Sequence, residues 1–178
     1  MENAEKKLFL QKLANEDDNQ LVSTLHYFRE NGDVSLLPQV LELLTSDRSD
    51  DLKNSILELV ADIKTQDAAM MAFDFMYHTQ NMQIKKAMIA TLWQSGQNFS
   101  DKAEDIVDLM LLFNEFEPAF DSYTLLENCA ENIPQEIASK LFDKIKNAES
   151  FADDSLKGIY ESAKAHLLKI ATGRVEDY

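Results

Sequence analysis

Apolar residues recur at spacings of three and four along most of the chain, which is the period of an amphipathic helix. Leu36, Leu37, Val40, Leu41, Leu43 and Leu44 form one broad stripe. With Ser35 as the expected N-cap, Pro38 falls in the first turn, where its missing N–H has no partner to lose. After a polar break over 45–50, Leu52, Ile56, Leu57, Leu59, Val60 and Ile63 make a second helix. Residues 68–78 predict a third, and Ile84, Met88, Ile89, Leu92 and Trp93 a fourth that ends near Gly96. Ser100 and Asp101, with Glu104 in capping-box position, open a helix carrying Ile106, Val107, Leu109, Met110, Leu112 and Phe113. Pro118 opens the next, with Phe120, Tyr123, Leu126 and Ala130 as its apolar residues. Pro134 opens a helix with Ile137, Leu141, Phe142 and Ile145, and a last helix runs from Asp153 to about Gly173. Residues 4–14 and 18–31 supply one more pair at the front.

The pattern predicts about ten helices in five antiparallel pairs, starting near residues 4, 35, 67, 101 and 134. A repeat of roughly 31 to 34 residues is the mark of a helical solenoid, in which each pair buries its face on the next. A helical bundle is the rival arrangement. Composition supports helices over sheets. Only 4 Gly and 3 Pro occur in 178 residues, too few for the regular turns of a sandwich or barrel.

The second helices of two pairs carry a family likeness. Asp51-Leu52-Lys53-Asn54-Ser55-Ile56-Leu57-Glu58-Leu59-Val60 is echoed 32 residues later by Ile84-Lys85-Lys86-Ala87-Met88-Ile89-Ala90-Thr91-Leu92. Leu52 aligns with Ile84, Lys53 with Lys85, Ile56 with Met88 and Val60 with Leu92. Leu37-Pro38 supplies the Leu-Pro of a first helix. Over residues 33–96 the chain resembles HEAT repeats of the short bacterial kind. That resemblance implies an all-α, right-handed α-α superhelix of about five helix pairs over residues 1–178 as one domain, and a role in binding other proteins.

Candidate chemistry is sparse. His26, His78 and His166 are not spaced as a helical zinc pair, and the paired His-Glu dipeptides of HEAT-repeat iron hydroxylases are absent. The segment 47–51 lacks the Gly and terminal Glu of a calcium loop and is expected to be a turn with its helix cap. Cys129 is the only cysteine, so no intramolecular disulfide forms, and it is expected to be a buried small hydrophobe. No catalytic, cofactor or metal site is expected. The opening residues are not a signal peptide, and no apolar run reaches the ~18 residues of a membrane span. A soluble cytoplasmic protein is the expectation.

Charge narrows the partner. The formal net charge is -15, which disfavours nucleic acid. Residues 66–100 carry two bases and two acids, whereas 101–178 carry 8 bases and 17 acids. The neutral stretch holds five of the 7 Met residues and the single Trp, and Met and Trp favour adaptable binding surfaces. Residues 70–77 are apolar at almost every position, with Met71 and Phe75 assigned to the core. The expected function is a non-catalytic scaffold or adaptor. Met70, Phe73, Met76, Tyr77 and Trp93 would anchor a protein or peptide, and Glu104, Asp105, Asp108, Glu115 and Glu117 would steer a basic one. An enzyme on a HEAT-like scaffold, similar to the repeat lyases, and a structural subunit of a larger complex are the alternatives.

Overall fold

A computed structural model describes residues 2–129 and 132–173. It is helical throughout these residues, with ten α-helices joined by short turns. They are α1 (Asn3–Asn15), α2 (Asp18–Asn31), α3 (Leu37–Glu42), α4 (Asp50–Ala61), α5 (Gln66–His78), α6 (Met82–Leu92), α7 (Ala103–Leu112), α8 (Phe116–Asn128), α9 (Gln135–Glu149) and α10 (Asp154–Thr172). Contacts group them into two compact units, Met1–Gln97 and Asn98–Tyr178.

In the N-terminal unit, α2 packs on α4 and α4 on α6, while α3 packs on α5. Like helices therefore lie beside like helices from pair to pair. The helix starts share one device. Asp17, Asp33, Ser49, Thr65 and Asn81 stand 16 residues apart, and each side chain accepts a backbone N–H of the turn it precedes. Such caps satisfy donors that the first helical turn leaves open. Asp33 corrects the expected cap at Ser35. It accepts the Ser35 N–H at 3.0 Å and opens a 3-10 turn, Val34–Leu36, that leads into α3. Ser49 caps α4, so the segment 47–51 is a turn with its helix cap, as expected. Gly32 closes α2 with ordinary backbone angles, and a Cβ there would collide with the Phe28 carbonyl oxygen.

Polar ties join successive pairs of this unit. Lys6 Nζ reaches Asp33 at 2.7 Å and Ser35 Oγ at 3.1 Å. Arg48 donates to Asp18 at 2.9 Å and to the Glu16 carbonyl at 3.1 Å, while the Ser49 N–H donates to the other Asp18 oxygen at 2.7 Å. Arg29 pairs with Asp62, and the Gln97 amide donates to the Ile63 carbonyl at 3.4 Å. The core holds Leu21, Val40, Leu52, Ile56, Phe73, Met76, Met88 and Leu92, all without exposed surface.

In the C-terminal unit, α7 packs on α8 and α9, and α10 on α8 and α9. Its core includes Phe99, Phe113, Ile106, Met110, Leu126, Ile145 and Leu167. Here the capping differs. Ser100 and Asp101, expected to cap α7, lie in a 3-10 turn, Ser100–Lys102. The Asn98 side chain accepts the Ser100 N–H at 2.9 Å instead. Pro134 and Asp153 precede α9 and α10 without a side-chain cap bond. Gly173 ends α10 at φ 65, and Gly96 follows α6 at the same φ, the left-handed conformation that glycine adopts without strain. Ala130 lies outside the described residues.

Candidate functional site

Two helices carry more apolar residues than one face can bury, and on α5 the buried face differs from the expected one. On α5, Ala68, Ala69, Ala72, Phe73 and Met76 face inward, Met71 is 37 % exposed and Phe75 is half-buried. Met71 is thus a surface residue rather than a core one. The three alanines put little bulk between α5 and the helices it packs on, α3 and α6. Phe73 and Met76, expected as partner anchors, have no exposed surface and are core residues. Met70 is half-buried.

Tyr77 is also half-buried, and its surroundings hold α5 to α6. Its ring stacks on Phe73 at 6.2 Å between centroids, and the Lys85 ammonium lies 5.5 Å from its centre. Lys85 donates to the Tyr77 carbonyl at 2.5 Å, so a cation sits at the C-terminal end of α5, where the helix dipole favours it. Burial pushes the Lys85 ammonium below its ordinary pKa. Trp93, just past α6, is 36 % exposed.

The acidic candidates all belong to the C-terminal unit. Glu104 and Asp105 open α7 and line a recess of about 360 Å³ with Pro134 and Ile137. Asp108 is half-buried and paired with Lys144 of α9. Glu115 is the N-cap residue of α8 and Glu117 lies in its first turn, both exposed. The apolar candidates, from Met70 to Trp93, belong to the N-terminal unit.

A row of exposed, stacked aromatic side chains lies on α8. Pro118, Ala119, Ser122, Leu125 and Leu126 form the buried face. Phe116 and Phe120 are 52 % and 46 % exposed, although Phe120 was among the apolar residues expected on this helix. Their rings stack nearly parallel, 5.8 Å apart, and Tyr123 continues the row 6.3 Å from Phe120. The Tyr123 hydroxyl donates to Glu127 at 3.1 Å. Burial first, and then the Glu127 carboxylate, pushes this phenol up to about 12. The spacing Phe116, Phe120, Tyr123, Glu127 was visible in the sequence as a helical row. A second row, Ala119, Ser122, Leu126, was equally periodic and smaller, and it is the one that packs.

A groove of about 580 Å³ between α1 and α2 is lined by Leu8, Phe9, Lys12, Glu16 and Tyr27. Leu8 and Tyr27 are 54 % and 55 % exposed. Neither was singled out in the sequence, because each helix is polar at most positions.

Cys129 is fully buried. Its sulfur accepts the Phe99 N–H at 3.3 Å and its S–H donates to the Leu125 carbonyl at 3.0 Å. Burial pushes the thiol up to about 11, against the opposing pull of the Phe99 N–H. Its surroundings are those of a structural thiol. Among the described residues no group of three or more His, Cys, Asp and Glu is arranged to hold a metal ion, and no helix is long and apolar enough to cross a membrane. No family model matches this chain, and no curated protein or solved structure is found to be similar to it.

Proposed function

We propose that this chain is a HEAT-like repeat module that binds a protein or peptide on the outer faces of its helices and does no chemistry itself. The observation that carries this proposal is a set of large apolar side chains held outside filled cores. Met71, Met82 and Trp93 are exposed on the N-terminal unit, and Phe116 and Phe120 on the C-terminal unit. Exposed apolar side chains that lie together, as the stacked Phe116 and Phe120 do, are characteristic of interaction sites on helical frames. The constant cap spacing and the packing of like helices support a solenoid arrangement within the N-terminal unit. A cytoplasmic place belongs to the same proposal, and the single buried thiol suits a reducing compartment.

The test is capture from native lysate, followed by reconstitution of any recovered complex from purified parts and its mass by light scattering. A defined complex, recovered again when the partner is used as bait, is the expected result. Recovery of general chaperones alone, from wild type and from surface variants equally, would sink the proposal.

A further inference from the structure

The exposed row on α8 has a composition that selects its occupant. Phe116, Phe120 and Tyr123 form a continuous aromatic strip one helix face wide. Glu127 ends the strip, and Glu117 lies along one side of it by helical position. No Lys, Arg or His occurs between Lys102 and Lys140, a stretch that spans α7 and α8 completely and holds nine acids. The face therefore joins π-surfaces to negative charge, with His166 of α10 lying 3.8 Å from Glu127 at its end.

We propose that the α8 face binds a basic amphipathic peptide segment. Its Arg or Lys side chains would lie against the rings and carboxylates, and its apolar side chains would cover Phe116 and Phe120. This rests on the binding-module proposal above and names the partner's chemistry. Guanidinium groups stack on aromatic faces and pair with carboxylates at once. An amphipathic helix or extended segment supplies the apolar contacts that the half-exposed rings lack. The same charge argues against other occupants. A second copy would bring a further set of carboxylates to the contact, since each chain carries a net charge of -15. An anionic membrane surface would be repelled for the same reason.

The experiment uses the full chain and three labelled synthetic peptides of equal length, read by fluorescence anisotropy. One is a helical Leu/Arg amphipath, one replaces Leu by Ser, and one replaces Arg by Glu. Saturable binding of the Leu/Arg peptide is expected, weakening as salt is raised. The Ser and Glu peptides should bind at least tenfold more weakly. Phe116→Ala with Phe120→Ala should weaken the Leu/Arg peptide at least tenfold, and Glu117→Gln should weaken it severalfold. Trp93→Ala, in the other unit, should leave it unchanged. Circular dichroism and thermal melting establish that each variant is folded.

Unchanged affinity after removal of both rings overturns the assignment, as does equal binding of the Glu peptide or no binding by wild type. So does a wild-type dimer, or adsorption to anionic vesicles, that the ring variant abolishes. If the ring variant keeps wild-type affinity for the Leu/Arg peptide and still forms a defined complex with a lysate partner, the α8 assignment fails and the binding-module proposal survives. If neither protein captures a partner and no peptide binds, both fail.

Discussion

The two units stack helix pairs by different means. In the N-terminal unit the caps recur every 16 residues from Asp17 to Asn81, ion pairs tie the first helix pair to the second, and a hydrogen bond from Gln97 to the Ile63 carbonyl ties the second to the third. In the C-terminal unit α9 and α10 are longer, at 15 and 19 residues, and begin at Pro134 and Asp153 without side-chain caps. A buried thiol there joins the Phe99 N–H to the last turn of α8. One unit thus fixes its repeat through local polar signals, and the other relies on longer apolar faces. Evenly spaced caps place the helix starts of the first unit at a constant interval although the helices themselves range from 6 to 14 residues. Where caps are weak, packing sets the length and the spacing drifts.

The largest test contrasts filled core with exposed row. Phe73→Ala in the N-terminal unit removes a ring with no exposed surface and should cost about 3–5 kcal/mol. Phe120→Ala on α8, roughly half exposed, should cost no more than about 0.5 kcal/mol. Urea unfolding reads both. Similar losses would show that the aromatic row of α8 is part of a core after all.

A smaller effect separates the two kinds of tie. Arg48→Ala removes the bonds to Asp18 and the Glu16 carbonyl and should cost about 1–2 kcal/mol, less at high salt. Cys129→Ala leaves the buried Phe99 N–H without its sulfur acceptor and should cost about 1–3 kcal/mol, with little salt dependence. Hydrogen exchange, read segment by segment, should localise the first loss to α2 and α4 and the second to α7 and α8. Equal salt dependence would remove the distinction.

The smallest effects come with pH, and they separate acid from alkali. Hydrogen bonds from Lys6 first, then from Ser35, hold Asp33 well below the usual carboxylate range, and the Ser49 N–H lowers Asp18. Lowered carboxylates stabilise the fold above their ordinary pKa, and that contribution is lost as pH falls through the folded value. Acid should therefore loosen the ties between pairs in the N-terminal unit. In the C-terminal unit, Glu136 and Asp154 are also lowered, through Lys140 and Lys157, but these bonds lie within single helices. Cys129 has the opposite sign. Its raised pKa, about 11 against 9.0 for a free thiol, keeps its stabilising contribution intact below pH 9 and removes it as pH climbs toward 11. Exchange rates between acid and alkaline limits check the order of loosening. Thiol reagents at neutral pH should react with Cys129 only on unfolding.

Much of the helical order was legible in the chain. The predicted pair starts near 4, 35, 67, 101 and 134 fall close to the observed starts of α1, α3, α5, α7 and α9. Polar breaks and terminal glycines carry that information, because they act on the backbone within a few residues. The 16-residue cap series was present too, in Asp, Ser, Thr and Asn at fixed intervals, but a cap is recognisable only when its N–H partner is known. The entry to α7 shows this, since Ser100 and Asp101 had the required side chains, yet α7 follows Lys102 without a side-chain cap and Asn98 accepts the Ser100 N–H at the 3-10 turn before it.

The facing of α5 and α8 was not legible. Residues 70–77 are apolar nearly all round, so periodicity ranks no face above another. In α8 two rows compete, and the ring-bearing row is the more hydrophobic. Neighbouring helices chose the row with Ala119 and Ser122, whose small side chains allow close approach and whose one hydroxyl donates to the Pro118 carbonyl at 2.8 Å. The sequence by itself determined that this protein is helical, where its helices begin and end, and where its acids lie, since these depend on local backbone preferences and on composition. Only the tertiary structure decided that Phe73 and Met76 are core while Phe116 and Phe120 are surface, because burial depends on the size and approach of side chains from other helices.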